Sequence, residues 1–115
     1  MAQQMQDLPE DLRGVLEEAV RRILEIASPR AIILFGSWAE GRSGEDSDVD
    51  ILVVADADRP FQLAAALAEP VRAAVARRPV DVVVITPAQW DQLQHIPGQV
   101  VHEAAHYGVR LYEAA

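Results

Sequence analysis

Apolar positions along the chain alternate between two kinds of spacing, and each change of spacing marks an element. Leu12, Val15, Leu16, Ala19, Ile23, Ile26 and Ala27 recur at helical intervals up to Ser28-Pro29, which predicts an amphipathic first helix. Asp7 followed by Glu10 has the spacing of a capping box and predicts its start. Ala31-Ile32-Ile33-Leu34-Phe35 is an unbroken apolar run that stops at Gly36. That is the pattern of a strand covered on both faces and leading into a tight turn. From Gly36 to Ser47 the chain is rich in glycine, serine and charge, and from Val49 to Val54 it is again apolar and β-branched. A functional loop containing one helical turn is therefore expected to join two strands.

Pro60 suits the first turn of a second helix, in which Leu63, Leu67, Val71 and Val75 follow at four-residue spacing. Pro70 has no N–H to donate and is expected to kink or split that helix. Val80 to Ile85 reads as a further buried strand, and Thr86 and Gln89 have the spacing of an N-cap and its reciprocal partner. Helices are expected over residues 87–95 and 98–107, the last ended by Gly108, with Val109-Arg110-Leu111-Tyr112 as a closing strand. No repeat, low-complexity tract or linker interrupts the order. These elements predict one α/β (α+β) domain over residues 1–115, a small mixed β-sheet flanked by helices.

Composition narrows the chemistry. A chain of 115 residues can bury one core and leaves no room for a separate substrate domain. No apolar run is long enough to span a membrane, and the polar, acidic start lacks the features of a secretory signal, so a cytoplasmic protein is expected. Without cysteine, thiolate catalysis and cysteine-based zinc sites are excluded. All ten basic residues are arginine, which excludes a P-loop lysine, a Schiff base and a Ser-Lys dyad. The net charge of −8 repels a phosphate backbone and argues against direct nucleic-acid binding.

Asp48-Val49-Asp50 places two carboxylates at i and i+2 on extended chain, so both point to one side and Val49 to the other. Such a pair repels itself unless a cation neutralises it, and Mg²⁺ takes oxygen ligands, often shared with substrate phosphates. Asp81 opens the other buried strand with only Val80 ahead of it. If the two strands pair in parallel, all three acids meet at one sheet end and can hold two Mg²⁺ ions for an in-line nucleotidyl transfer. Taken singly, an Asp-x-Asp is more often a solvated strand end or a helix cap, and an acid on a strand can simply block edge pairing.

Phe35-Gly36-Ser37, eleven residues before Asp48, adds a second half. The glycine permits a sharp turn and close approach of the backbone to a ligand; the Ser37 hydroxyl and the following amides can donate to phosphate oxygens. An antiparallel pairing of the two flanking strands would bring the turn to the acids. Alone, Gly36-Ser37 would be an ordinary turn with a serine cap.

The combined motif resembles the signature of the DNA polymerase β-like nucleotidyltransferases, specifically the minimal nucleotidyltransferase group. Leu34-Phe35-Gly36-Ser37-Trp38-Ala39-Glu40-Gly41 and Ser47-Asp48-Val49-Asp50-Ile51-Leu52-Val53-Val54 carry the resemblance, with Asp81 and the closing Gly108-Val109-Arg110-Leu111-Tyr112-Glu113 extending it over most of the chain. It implies that Gly36 and Ser37 bind the triphosphate of ATP or another nucleoside triphosphate. Asp48 and Asp50 would hold Mg²⁺, and Asp81 would complete the metal site and help activate an acceptor hydroxyl. The pattern departs from many relatives at Trp38 and Glu40, where arginine is common, and Arg42 lies two residues away. By family analogy the protein is expected to be an antitoxin, an oligomer or hetero-oligomer with a HEPN-type helical toxin, to which similar domains in some cases attach AMP. Two other readings are a non-catalytic antitoxin acting by contact, favoured by Glu40, and a nucleotidyltransferase of small molecules such as antibiotics, disfavoured by the small size of the chain.

His102-Glu103-Ala104-Ala105-His106 matches H-E-x-x-H, but only nine residues follow, too few for a helix that supplies a third zinc ligand. The histidines are read as partly exposed residues on a surface helix. Trp38 is read as capping the core, Trp90, Tyr107 and Tyr112 as core or interface residues, and Arg21-Arg22 and Arg77-Arg78 as solvated helix faces.

Overall fold

The computed structural model describes residues 5–41, 48–76 and 78–115. After a 3-10 turn at Met5–Asp7, the chain forms α1 (Glu10–Ile26), β1 (Ala31–Phe35), β2 (Val49–Val54), α2 (Pro60–Ala74), β3 (Val80–Ile85), α3 (Pro87–Leu93), α4 (Val100–Tyr107) and β4 (Val109–Glu113). The strands form one sheet in the order β3-β2-β1-β4. β1 pairs antiparallel with β2 and with β4, whereas β2 and β3 run parallel. The α+β class with a small mixed sheet flanked by helices is therefore observed. The parallel pair needs a crossover, which α2 supplies.

Helices cover both faces of the sheet, which explains why the central strands are apolar throughout rather than alternating. On one face Leu12, Leu16, Ala19 and Ile23 of α1 and Leu67 and Val71 of α2 bury Ile32, Leu34, Val49, Ile51 and Val53. On the other, Val101 and Ala104 of α4 form a smaller cluster with Ile33, Phe35, Leu52, Val54 and Ile85, joined at its margin by Trp90 and Leu93 of α3. Burying a large aliphatic side chain contributes roughly 1.5–3 kcal/mol, so both layers matter, the first more. Among the described residues no helix is long and apolar enough to cross a membrane.

One local expectation changes, and of the two outcomes expected at Pro70 the split is not the one observed. The N-cap of α1 is Pro9 and Asp7 belongs to the preceding 3-10 turn, so the Asp7–Glu10 capping box is not formed. Pro9 fixes the entry angle by its rigid ring instead. Pro70 does not split α2, which runs unbroken from Pro60 to Ala74; packing of Leu67 and Val71 into the core outweighs the one lost backbone bond. The Thr86–Gln89 capping box is present, with Gln89 N–H donating to Thr86 Oγ1 at 3.2 Å and Thr86 N–H to Gln89 Oε1 at 2.9 Å. α3 and α4 end or start about two residues inside the expected spans, within ordinary fraying of helix ends.

Candidate active site

Register brings the separated acids together. In the parallel pair Asp50 lies directly opposite Asp81, and in the antiparallel pair Phe35 lies opposite Asp50. Val49, Ile51 and Val53 enter the cluster under α1 and α2, while Leu52 and Val54 enter the cluster under α3 and α4. By alternation Asp50 projects to the α3–α4 face, as do Asp81, two residues before Val83, and Asp48, two residues before Asp50. Asp48 and Asp81 are exposed and Asp50 is half-buried. All three acids predicted from sequence thus share one face and one end of the sheet.

This crowding has an electrostatic signature. The Asp50 carboxyl is pushed up to about 6, mainly because burial strips water from the charged form, and then because Asp81, Asp48 and Glu103 repel it. Glu103, on α4, is a neighbour that sequence reasoning placed in the H-E-x-x-H motif and not at this site. No local signal could have found it, since its position depends on how α4 lies across the sheet. Gly108, which stops α4, packs so closely on β1 that a Cβ there would stand 2.6 Å from Ile33 Cγ2 and 3.0 Å from the Leu34 carbonyl. The C-terminal half of α4 is thereby fixed at the end of β1 where the acids gather.

Gly36 follows β1 with φ +79°, a conformation that side-chain-bearing residues adopt at a cost. Any Cβ at this position would also run into the Asp50 carboxylate, at 3.3 Å from its Cγ. The glycine therefore both makes the turn and leaves room for Asp50. Ser37 begins a single helical turn closed by Glu40 N–H donating to the Gly36 carbonyl at 3.2 Å. Its hydroxyl, half-buried, stands one residue from the glycine that touches Asp50. A carboxylate cluster beside a turn of this kind can hold a hard cation together with an anion that the cation neutralises.

The remaining sequence expectations fall on either side of this geometry. Trp38 packs partly into the α1–α2 core, as expected. Arg78 does not lie on a solvated helix face: it follows α2, stacks over the Trp38 ring at 5.4 Å and pairs with Asp11 at 3.6 Å. The aromatic face and the acid at the start of α1 hold it against the protein. Arg21 pairs with Glu18 and Arg22 Nη1 donates to the Pro70 carbonyl at 3.4 Å. Arg77, Arg42 and Ser47 lie outside the described residues. His102 is half-buried, His106 is exposed, and their rings lie 4.2 Å apart on α4. Among the described residues no three histidine, aspartate or glutamate side chains form a ready metal cage.

No curated protein matches the sequence. Among solved structures, the chain is similar to the crystal structure of the toxin-antitoxin with AMP-PNP, at 23% identity and a TM-score of 0.56, covering 85% of this chain and 73% of that one. At this identity the likeness speaks for the fold. The model of the nucleotidyltransferase domain family matches residues 15–104, a span that holds the Gly36-Ser37 turn, all three acids and the three strands β1, β2 and β3 that bring them together. The motif, the register that assembles it and this match agree, and the chain belongs to the nucleotidyltransferase domain family.

Proposed function

We propose that residues 1–115 act as one Mg²⁺-dependent nucleotidyltransferase domain in the cytoplasm. It transfers AMP from ATP to a hydroxyl of a HEPN-type helical toxin, with which it forms a hetero-oligomer as its antitoxin. The observation that carries the enzymatic part is the pairing of Asp50 with Asp81 on adjacent parallel strands, with Gly36 set against Asp50. The similar toxin-antitoxin structure, which contains AMP-PNP, supports an adenine nucleotide and a toxin partner.

The donor type suits the metal: Asp48, Asp50 and Asp81 offer only oxygen ligands from one end of the sheet, although as they stand they are not gathered into a ready cage, and a divalent cation would relieve the repulsion at Asp50. Mg²⁺ bound there, expected as two ions, would supply Lewis-acid polarisation of the acceptor hydroxyl and neutralise triphosphate charge. Asp48 and Asp50 would hold it, and Asp81 would complete the set. Gly36 and Ser37 receive the phosphates through the backbone turn and the Ser37 hydroxyl. In the transfer, the acceptor oxygen forms a bond to the α-phosphorus. The bond from that phosphorus to the bridging oxygen breaks, and pyrophosphate leaves with the electron pair. The Asp81 carboxylate accepts the acceptor's proton, and the three acids keep the reacting groups in line.

Incubating the purified chain with α-labelled ATP and Mg²⁺, with and without the protein encoded beside it, tests this reading. Label on that partner which disappears with Asp48→Ala plus Asp50→Ala is the expected outcome. If no label appears while wild type and variant bind and inhibit the partner equally, a second reading replaces it: an antitoxin that acts by contact. Glu40 favours that second reading, because it adds an acid to the turn where many relatives carry arginine.

A further inference from the structure

α4 borders the acids with a flank that the core does not use. Val101 and Ala104 face inward and are buried with Phe35 and Leu52. Val100, Glu103 and Tyr107, at i, i+3 and i+7, lie together on another side. Val100 and Tyr107 are 44% and 46% exposed, and Ile96, just before the helix, is 45% exposed. Val100, Glu103 and Tyr107 line a cavity of about 340 Å³ with Gly98, Gln99 and His102. Glu103 belongs to both places: it lines this cavity and is one of the charges acting on Asp50. A groove that sets exposed Val100 and Tyr107 beside Gln99, His102 and Glu103, on a helix whose inner face packs against Phe35, the residue opposite Asp50, has the character of a protein-docking surface.

We propose that this groove seats the acceptor protein. The claim rests on the nucleotidyl-transfer reading for its purpose, and on the groove for its place. The occupant is a basic protein segment. An apolar side chain fills the space between Val100 and Tyr107, and an arginine or lysine pairs with Glu103. A neighbouring hydroxyl-bearing residue is thereby brought over Asp50 and Asp81. Charge complementarity selects this occupant, because Glu103 and the three aspartates make the region acidic within a chain of net charge −8, which attracts a basic partner and repels nucleic acid. Gly108 fixes the distance from groove to acids by locking α4 against Ile33 and Leu34.

The test uses the full chain and the protein encoded beside it. In one arm a photoreactive benzoylphenylalanine replaces Val100 or, as a control on α2, the exposed Phe61. Crosslinking from position 100 and not from 61 is expected; no crosslink from position 100 overturns the proposal. In the other arm, Glu103→Arg and the pair Val100→Ser, Tyr107→Ser are assayed for label transfer from α-labelled ATP. Transfer should fall at least about tenfold through a raised acceptor KM, while a fluorescent ATP analogue with Mg²⁺ binds the Val100, Tyr107 variant within about twofold of wild type. Transfer within about twofold of wild type in both variants removes the groove and leaves the enzyme reading standing. No transfer by the wild-type chain removes the enzyme reading, and the crosslinks alone then decide the groove.

Discussion

At Asp50, burial and three neighbouring acids all disfavour the charged form, and its carboxyl sits at about 6 instead of near the ordinary 3.8. A native pKa above the unfolded one means that the folded chain holds the proton more tightly. The resulting stabilisation is present below about pH 4 and is lost as pH rises through about 6. Without divalent cation, Asp50→Asn should therefore melt about 2–5 °C above wild type at pH 7.5, with the difference closing by pH 4. Mg²⁺ should raise the wild type more than the variant, because the variant lacks the repulsion centred on Asp50 that the cation relieves. Melting curves followed by circular dichroism at the two pH values, with and without Mg²⁺, check this. Equal midpoints at pH 7.5 would mean that Asp50 carries no such strain.

Elements, more than single residues, set the distances in the site. β1 and β2 deliver Gly36 and Asp50 to one end of the sheet by antiparallel pairing, and α2 returns the chain so that β3 presents Asp81 in parallel register. α4 closes this arrangement from one face, and its seat is the contact of Gly108 with β1. The backbone at Gly108, with φ −81°, would accept alanine without strain. The added methyl would nevertheless press on Ile33 and on the carbonyls of Leu34 and Ala104. Gly108→Ala should thus cost about 1–3 kcal/mol through overpacking, read as a lower urea midpoint with an unchanged slope. A cost below about 0.5 kcal/mol would show that α4 can shift freely on the sheet.

Over the whole molecule the surplus of negative charge sets how the protein responds to salt and to partners. Acids outnumber bases by eight, and several of the ion pairs are between neighbours on one helix, such as Arg21 with Glu18 and Arg72 with Glu69. Exposed pairs of this kind contribute little, so self-repulsion is the larger electrostatic effect. Raising NaCl from about 0.05 to 0.5 M should raise the melting midpoint by about 2–4 °C through screening. The same change should weaken association with a basic partner by slowing encounter. A midpoint that falls with salt, measured by calorimetry, would contradict the first expectation.

The strands, the Gly36 turn and the shared side of Asp48 and Asp50 were legible in the sequence because each depends on nearby residues. An apolar run needs cover on both faces, a glycine allows a positive φ, and an i, i+2 pair of acids shares a side wherever the chain is extended. The Thr86–Gln89 cap was legible for the same reason, its two hydrogen bonds spanning three residues. Tertiary structure decided what depends on distant segments: the register that sets Asp50 against Asp81, the placement of Glu103 beside them, the stacking of Arg78 on Trp38 and the continuity of α2 through Pro70. Each of these is a balance between a weak local preference and packing across the core. A chain pattern records which residues want to be buried, but only the folded sheet fixes what they are buried against.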